Sequence, residues 1–173
     1  ELVRTLKLPG QLEGCVADDI LGHLYIGEEE SGIWKFDADP SGSKEGVLID
    51  TIGPHIAADV EGLTLYYASE TDGYLIASSQ GDDTYTIYSR GDINNFIGRF
   101  SVVDSETIDG TSSTDGIDVC NMGLGGKLSD GIFIVQDDVN DVGNQNFKII
   151  SWGEIASIFN PPLEINSGYD LRN

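Results

Sequence analysis

An acidic residue followed by glycine opens three similar segments, at Glu13-Gly14, Glu61-Gly62 and Asp115-Gly116, with spacings of 48 and 54 residues. Further carboxylates lie between and after these pairs: Glu29 within Glu28-Glu29-Glu30, then Asp59, Asp109 and the stretch Asp137-Asp138 with Asn140-Asp141. Carboxylates gathered in one place repel one another, and burial worsens the repulsion, so a divalent cation is the simplest compensation. Calcium suits the set best, being a hard cation that takes roughly 6–8 oxygen ligands. Zinc suits it poorly, because Cys15, Cys120, His23 and His55 have no ligand-type spacing. No standard catalytic signature competes. The sequence has no phosphate-cradling P-loop, no Gly-x-Ser-x-Gly elbow and no His-Glu-x-x-His pair. The stretch from Asp109 to Gly116 has the wrong ligand spacing for an EF-hand. Taken alone it reads as two Asp-Gly turns, and Glu28-Glu29-Glu30 alone as a solvated turn. Only recurrence at matching positions makes a site of them.

Composition narrows the partners. Of 173 residues, 30 are Asp or Glu and 9 are Lys or Arg, a formal net charge of −21. Such a chain repels phosphate backbones and anionic lipid, which argues against nucleic-acid and membrane-surface roles. With 39% hydrophobic residues spread along the chain, disorder is a poor reading. No apolar run approaches the roughly 18–20 residues of a membrane span. Two cysteines do not make a disulfide scaffold, and both are expected to be buried free thiols. The first residues, Glu1 to Thr5, have neither a basic nor an apolar leader region, so a signal peptide is expected to be absent or already removed.

The elements that must position the carboxylates are short strands. The chain has 22 Gly and 5 Pro, and its apolar runs are brief: Leu24–Gly27, Ile33–Phe36, Leu63–Tyr67, Tyr74–Ala77, Tyr85–Tyr88, Phe96–Val103, Gly131–Val135 and Phe147–Ile150. One helix is predicted after Ser151, with Ser151 and Glu154 in capping-box spacing and Pro161-Pro162 as the stop. Each acidic-Gly pair opens a unit of short strands. Four strands in roughly 40–50 residues is the signature of a propeller blade. The expected fold is therefore all-β, with about three blades of four antiparallel strands over approximately residues 13–60, 61–114 and 115–173. Closed propellers use roughly 4–8 blades. Three blades are thus expected to be part of a larger ring, or to complete one by self-association. Equivalent blade positions face one axis, which would bring Glu13, Glu29, Asp59, Glu61, Asp109 and Asp115 into one electronegative region.

These stretches resemble the β-propeller phytases, the alkaline calcium-dependent phytases. The likeness is carried by Glu13–Asp19, Leu24–Glu29, Ile33–Phe36, Asp59–Thr64, Tyr74–Gly81, Thr114–Val119 and Asn144–Lys148, in colinear order over nearly the whole chain. It corresponds to the C-terminal half of a six-bladed propeller. The resemblance implies hydrolysis of phosphomonoesters of myo-inositol hexakisphosphate, bound as its calcium complex, by calcium-activated water. It implies calcium-site roles for Glu13, Asp59, Glu61 and Gln80, bridging calcium at Asp109, and a structural calcium at Asp137. It further implies catalytic roles for Glu13, Glu29, Glu61, Asp109 and Asp115, several calcium ions, the remaining propeller half as partner, and secretion to a bacterial exterior or periplasm. Two rivals stand beside it: a calcium-binding propeller module without turnover, and a propeller hydrolase of another kind, such as a calcium-dependent lactonase.

Overall fold

In the computed structural model, which describes residues 1–170, the short apolar runs become strands of three antiparallel sheets. The first sheet is a meander of β1 (Leu12–Asp18), β2 (His23–Glu28), β3 (Gly32–Asp37) and β4 (Val47–Thr51). The second repeats it with β5 (Val60–Tyr67), β6 (Gly73–Ser79), β7 (Thr84–Ser89) and β8 (Phe96–Phe100). The third holds β9 (Ile117–Cys120), β10 (Ile132–Asp137) and β11 (Asn146–Ser151), and a short helix α1 (Trp152–Ser157) follows. Within each sheet consecutive strands pair antiparallel, as in propeller blades.

Two apolar layers hold the sheets together, and the middle sheet contributes to both. Along β6, Leu75 and Ala77 enter the layer shared with Tyr25 and Ile33 of the first sheet. Tyr74 and Ile76 enter the layer shared with Phe133 and Val135 of the third and with Trp152 of α1. This is the two-residue alternation of a strand covered on both faces, and every residue of β6 is buried. Trp152 stacks on Tyr66 at 4.3 Å between ring centroids and is fully enclosed.

Two of the three acidic-Gly pairs that open the sheets have a backbone reason to exist. The first strands lie side by side, β1 along β5 and β5 along β9. A Cβ on Gly14 would sit 2.3 Å from the Glu61 carbonyl oxygen, and one on Gly62 would sit 2.5 Å from that of Asp115. The Gly62 N–H donates to the Asp115 carbonyl at 2.7 Å. Each glycine lets the next sheet approach closely, and the acidic residue before it is carried to the same end. Gly14→Ala is expected to destabilise the protein by about 1–3 kcal/mol through forced separation of β1 and β5. Gly116→Ala, with no atom within 4 Å of its added methyl, is expected to stay within about 0.5 kcal/mol. Denaturant midpoints of the two variants check the contrast, and equal losses would refute it.

A second repeat ties each sheet to the segment leading into it. The residue ending the second strand accepts a hydrogen bond from that segment: Glu28 from the Gly10 N–H, Ser79 from Ala57 at 2.8 Å and Asp137 from Ser112 at 3.1 Å. The following residue donates its own N–H to the same segment, Glu29 to the Gln11 carbonyl, Gln80 to Asp59 and Asp138 to Ser112.

Four expectations need correction. Cys15 and Cys120 are exposed rather than buried. They lie on β1 and β9, where successive side chains alternate between faces, and apolar neighbours do not decide which face a residue takes. The third sheet has three strands among the described residues, not four. After β11 the chain turns inward at Trp152, which fills the core from α1. The strand expected over Phe96–Val103 ends at Phe100. Finally, Ser151 precedes the helix but makes no side-chain capping bond. It belongs to β11, paired with Ile132, and the Trp152 N–H donates to the Gly131 carbonyl at 3.0 Å.

Candidate functional site

The close approach of β1, β5 and β9 decides where the acidic residues meet. Glu13 is the second residue of β1, Glu61 the second of β5, and Asp115 lies just before β9. Glu29 follows β2, Asp59 precedes β5 and Gln80 follows β6, so all six sit at one end of the strands. Oxygens of Glu13, Glu29 and Glu61 lie within 4.8 Å of one another. Amide side chains hold the periphery. Gln11 Nε2 donates to Glu13 Oε1 at 2.8 Å and to Glu29 Oε1. Gln80 Nε2 donates to Asp115 Oδ1 at 2.7 Å, and the Asp115 N–H donates to Gln136 Oε1 at 2.8 Å.

The electrostatics follow from the crowding. Glu61 is only 8% exposed. Burial, followed by the charges of Glu13, Asp115, Glu29 and Asp59, pushes its carboxyl up to about 7. The Glu29 carboxyl is also raised, by desolvation and then by Asp59, Glu13 and Glu30. None of the ion pairs among the described residues involves this cluster. An all-oxygen donor set with one buried member and no cation of its own fits a hard divalent ion.

Asp109 and Asp137 lie elsewhere, around Lys148. Lys148 Nζ stands 2.6 Å from Asp109 Oδ1 and 3.1 Å from Asp137 Oδ2, and donates to Asn140 Oδ1 at 2.9 Å. Burial would lower the Lys148 ammonium's pKa, but Asp109 and Asp137 together raise it. The Lys148 hydrogen bond, followed by the Asp141 N–H, holds the Asp109 carboxyl below its usual range.

Comparison with known proteins now decides the family. The Phytase family profile matches residues 1–173. The chain belongs to the phytase family. A 3-phytase of Bacillus subtilis (strain 168) is 54% identical over 159 residues, which cover 89% of this chain and 42% of that relative. The chain therefore spans less than half the length of the curated relative it matches.

Within this phytase-family chain the structure brings Glu13, Glu29, Asp59, Glu61, Gln80 and Asp115 together. It does not bring Asp109 into the same region, because the loop carrying it turns toward β11 and its carboxylate is drawn to Lys148. Three residues of these clusters escaped the sequence reading: Gln11, Gln136 and Lys148. Gln11 had a signal, since it stands two residues before Glu13 and so on the same side of an extended chain. Gln136 and Lys148 had none. Their partners, Asp115 and Asp109, are 21 and 39 residues away.

Proposed function

We propose that this chain carries the carboxylate centre of a calcium-dependent phosphomonoesterase acting on phytate, myo-inositol hexakisphosphate. The observation that carries the reading is the approach of Glu13, Glu29 and Glu61 to within 4.8 Å, with Glu61 buried among them. Membership of the phytase family and likeness to a 3-phytase supply the substrate class. Glu13, Asp59, Glu61 and Gln80 would hold the ions, with Glu29 and Asp115 at the edge of the same cluster. Bound there, calcium supplies positive charge that neutralises phosphoryl oxygens and makes a coordinated water more acidic.

The chain's own groups have separate tasks in this reading. Glu61, whose carboxyl stands near 7 while the cluster holds no cation, has to give up its proton to take an ion, so calcium loading of this cluster is favoured as pH rises through neutrality. Gln11 keeps Glu13 and Glu29 side by side, and Gln80 fixes one oxygen of Asp115. Without cations the cluster repels a polyphosphorylated ring; with them, the same carboxylates become its anchor. We place this activity outside the cell, in the extracellular or periplasmic space.

Phosphate release from phytate by the complete protein is expected to fall to background in excess EGTA and to return when calcium is restored. Release that persists in EGTA would overturn the calcium reading. Calcium binding without release, under any of these conditions, would make the chain a binding module instead.

A further inference from the structure

We infer that Lys148 is the resident cation of a second oxygen cage, formed by Asp109, Asp137 and Asn140, and that it closes this cage to calcium. The inference goes beyond the function proposed above and concerns a different set of residues. Lys148 lies on β11 between two outward-facing residues, Phe147 and Ile149, which are 69% and 56% exposed, while Lys148 itself is 8% exposed. Strand alternation therefore turns the ammonium inward.

An ammonium has three N–H donors, and three oxygens surround this one, at 2.6 Å from Asp109, 2.9 Å from Asn140 and 3.1 Å from Asp137. The remaining oxygens of the two carboxylates are occupied by backbone. Asp109 Oδ2 accepts the Asp141 N–H at 2.9 Å, and Asp137 Oδ1 accepts the Ser112 N–H at 3.1 Å. Asn140 Oδ1 also accepts from Asn146 Nδ2 at 2.6 Å. Asp137 is fully buried, and its Oδ2 has no hydrogen-bond partner, only the facing ammonium. The ammonium therefore faces each carboxylate oxygen of the cage that no backbone N–H holds.

The calcium roles expected of Asp109 and Asp137 do not fit this arrangement. A divalent ion entering between the same oxygens would meet the ammonium at contact distance, and like charges in a half-dry cage repel strongly. In the loop between β10 and β11, Val139 and Val142 are apolar and exposed, Asp138 is engaged by Gln145, and Asp141 is the one further carboxylate, its N–H already donated to Asp109. With the ammonium removed, two carboxylates and an amide oxygen from two separate segments would face one another, which is a donor set of the calcium type.

The test is calcium titration calorimetry on the complete protein in a background of Glu13→Gln, Glu29→Gln and Glu61→Gln, which silences the first cluster. In that background Asp109→Asn is expected to leave calcium binding unchanged. Adding Lys148→Met instead is expected to create one calcium site, which Asp109→Asn then removes. Lys148→Arg keeps a cation and is expected to create none. Calcium bound with Lys148 in place and lost on Asp109→Asn would overturn the inference. So would a folded Lys148→Met protein that gains no site. Should Lys148→Met fail to fold, the comparison of Asp109→Asn with its background still decides the matter.

Discussion

Glu61→Gln is expected to cut calcium-dependent phosphate release on the order of 100-fold, and yet to stabilise the calcium-free protein above neutral pH. Both effects come from one carboxyl that is buried beside four like charges. Folding raises it from an ordinary value of 4.5 to about 7. The folded state therefore holds the proton more tightly than the unfolded chain. Below about 4.5 both states are protonated and the site costs nothing. As pH rises from 4.5 toward 7 the unfolded state releases its proton first, so stability falls across this window and is flat beyond it. A shift of this size corresponds to about 3 kcal/mol at pH 8. Glutamine has no proton to lose, so the calcium-free variant keeps that stability.

The two proteins should match near pH 4 and diverge toward pH 8 in EGTA, with the variant melting several degrees higher. Added calcium should reverse the order, because only the parent gains from ligand binding to the folded state. Denaturant or thermal melts at pH 4, 6 and 8, with and without calcium, read both signs. Parallel pH profiles for parent and variant would show that Glu61 is not strained by its neighbours.

Arg90→Ala is expected to cost about 3–5 kcal/mol, on the order of 10 °C in melting temperature. Arg90 follows β7, while Asp18 ends β1, so the pair joins the first two sheets. The guanidinium grips Asp18 with two bonds, Nε to Oδ2 at 2.6 Å and Nη2 to Oδ1 at 2.9 Å, and both side chains are fully enclosed. Its Nη1 donates to the carbonyls of Ser69 and Asp72, and the group lies 4.3 Å from the Tyr67 ring centroid. Removing Arg90 leaves a buried carboxylate with only the Ile20 and Leu21 N–H groups for partners.

Burial alone would raise the Asp18 carboxyl, but Arg90 and the Leu21 and Ile20 N–H groups hold it below 3.8. The sign follows: this pair stabilises the fold above the ordinary carboxylate range, and the contribution is lost as pH falls through the lowered value. The double variant Asp18→Leu with Arg90→Leu should lose less than Arg90→Ala alone, because no charge is stranded. A double-mutant cycle in urea checks this. Additive losses would mean that the two side chains act independently.

The repeat was legible in the sequence because a propeller blade is a local object. Hairpin after hairpin pairs with its chain neighbour, so Leu24–Gly27, Tyr74–Ala77 and the runs beside them could be recognised from apolar alternation and turns. The capping box failed for a tertiary reason: Trp152 found a place in the core, and that burial set the helix start. The cysteines failed because facing direction on β1 and β9 depends on which side the next sheet covers.

The sequence by itself determined that this protein is built of strand meanders, that an acidic residue and a glycine open each one, and that the acidic residues outnumber any cations able to balance them. Spacing along the chain carries that information. Only the tertiary structure decided how the charges divide. Close packing at Gly14 and Gly62 draws Glu13, Glu29, Asp59, Glu61 and Asp115 into one cluster without a basic residue. The inward turn of Lys148 takes Asp109 and Asp137 into another. A charge finds its partner through space, and Lys148 stands 39 residues from Asp109 in sequence yet 2.6 Å from it in the fold.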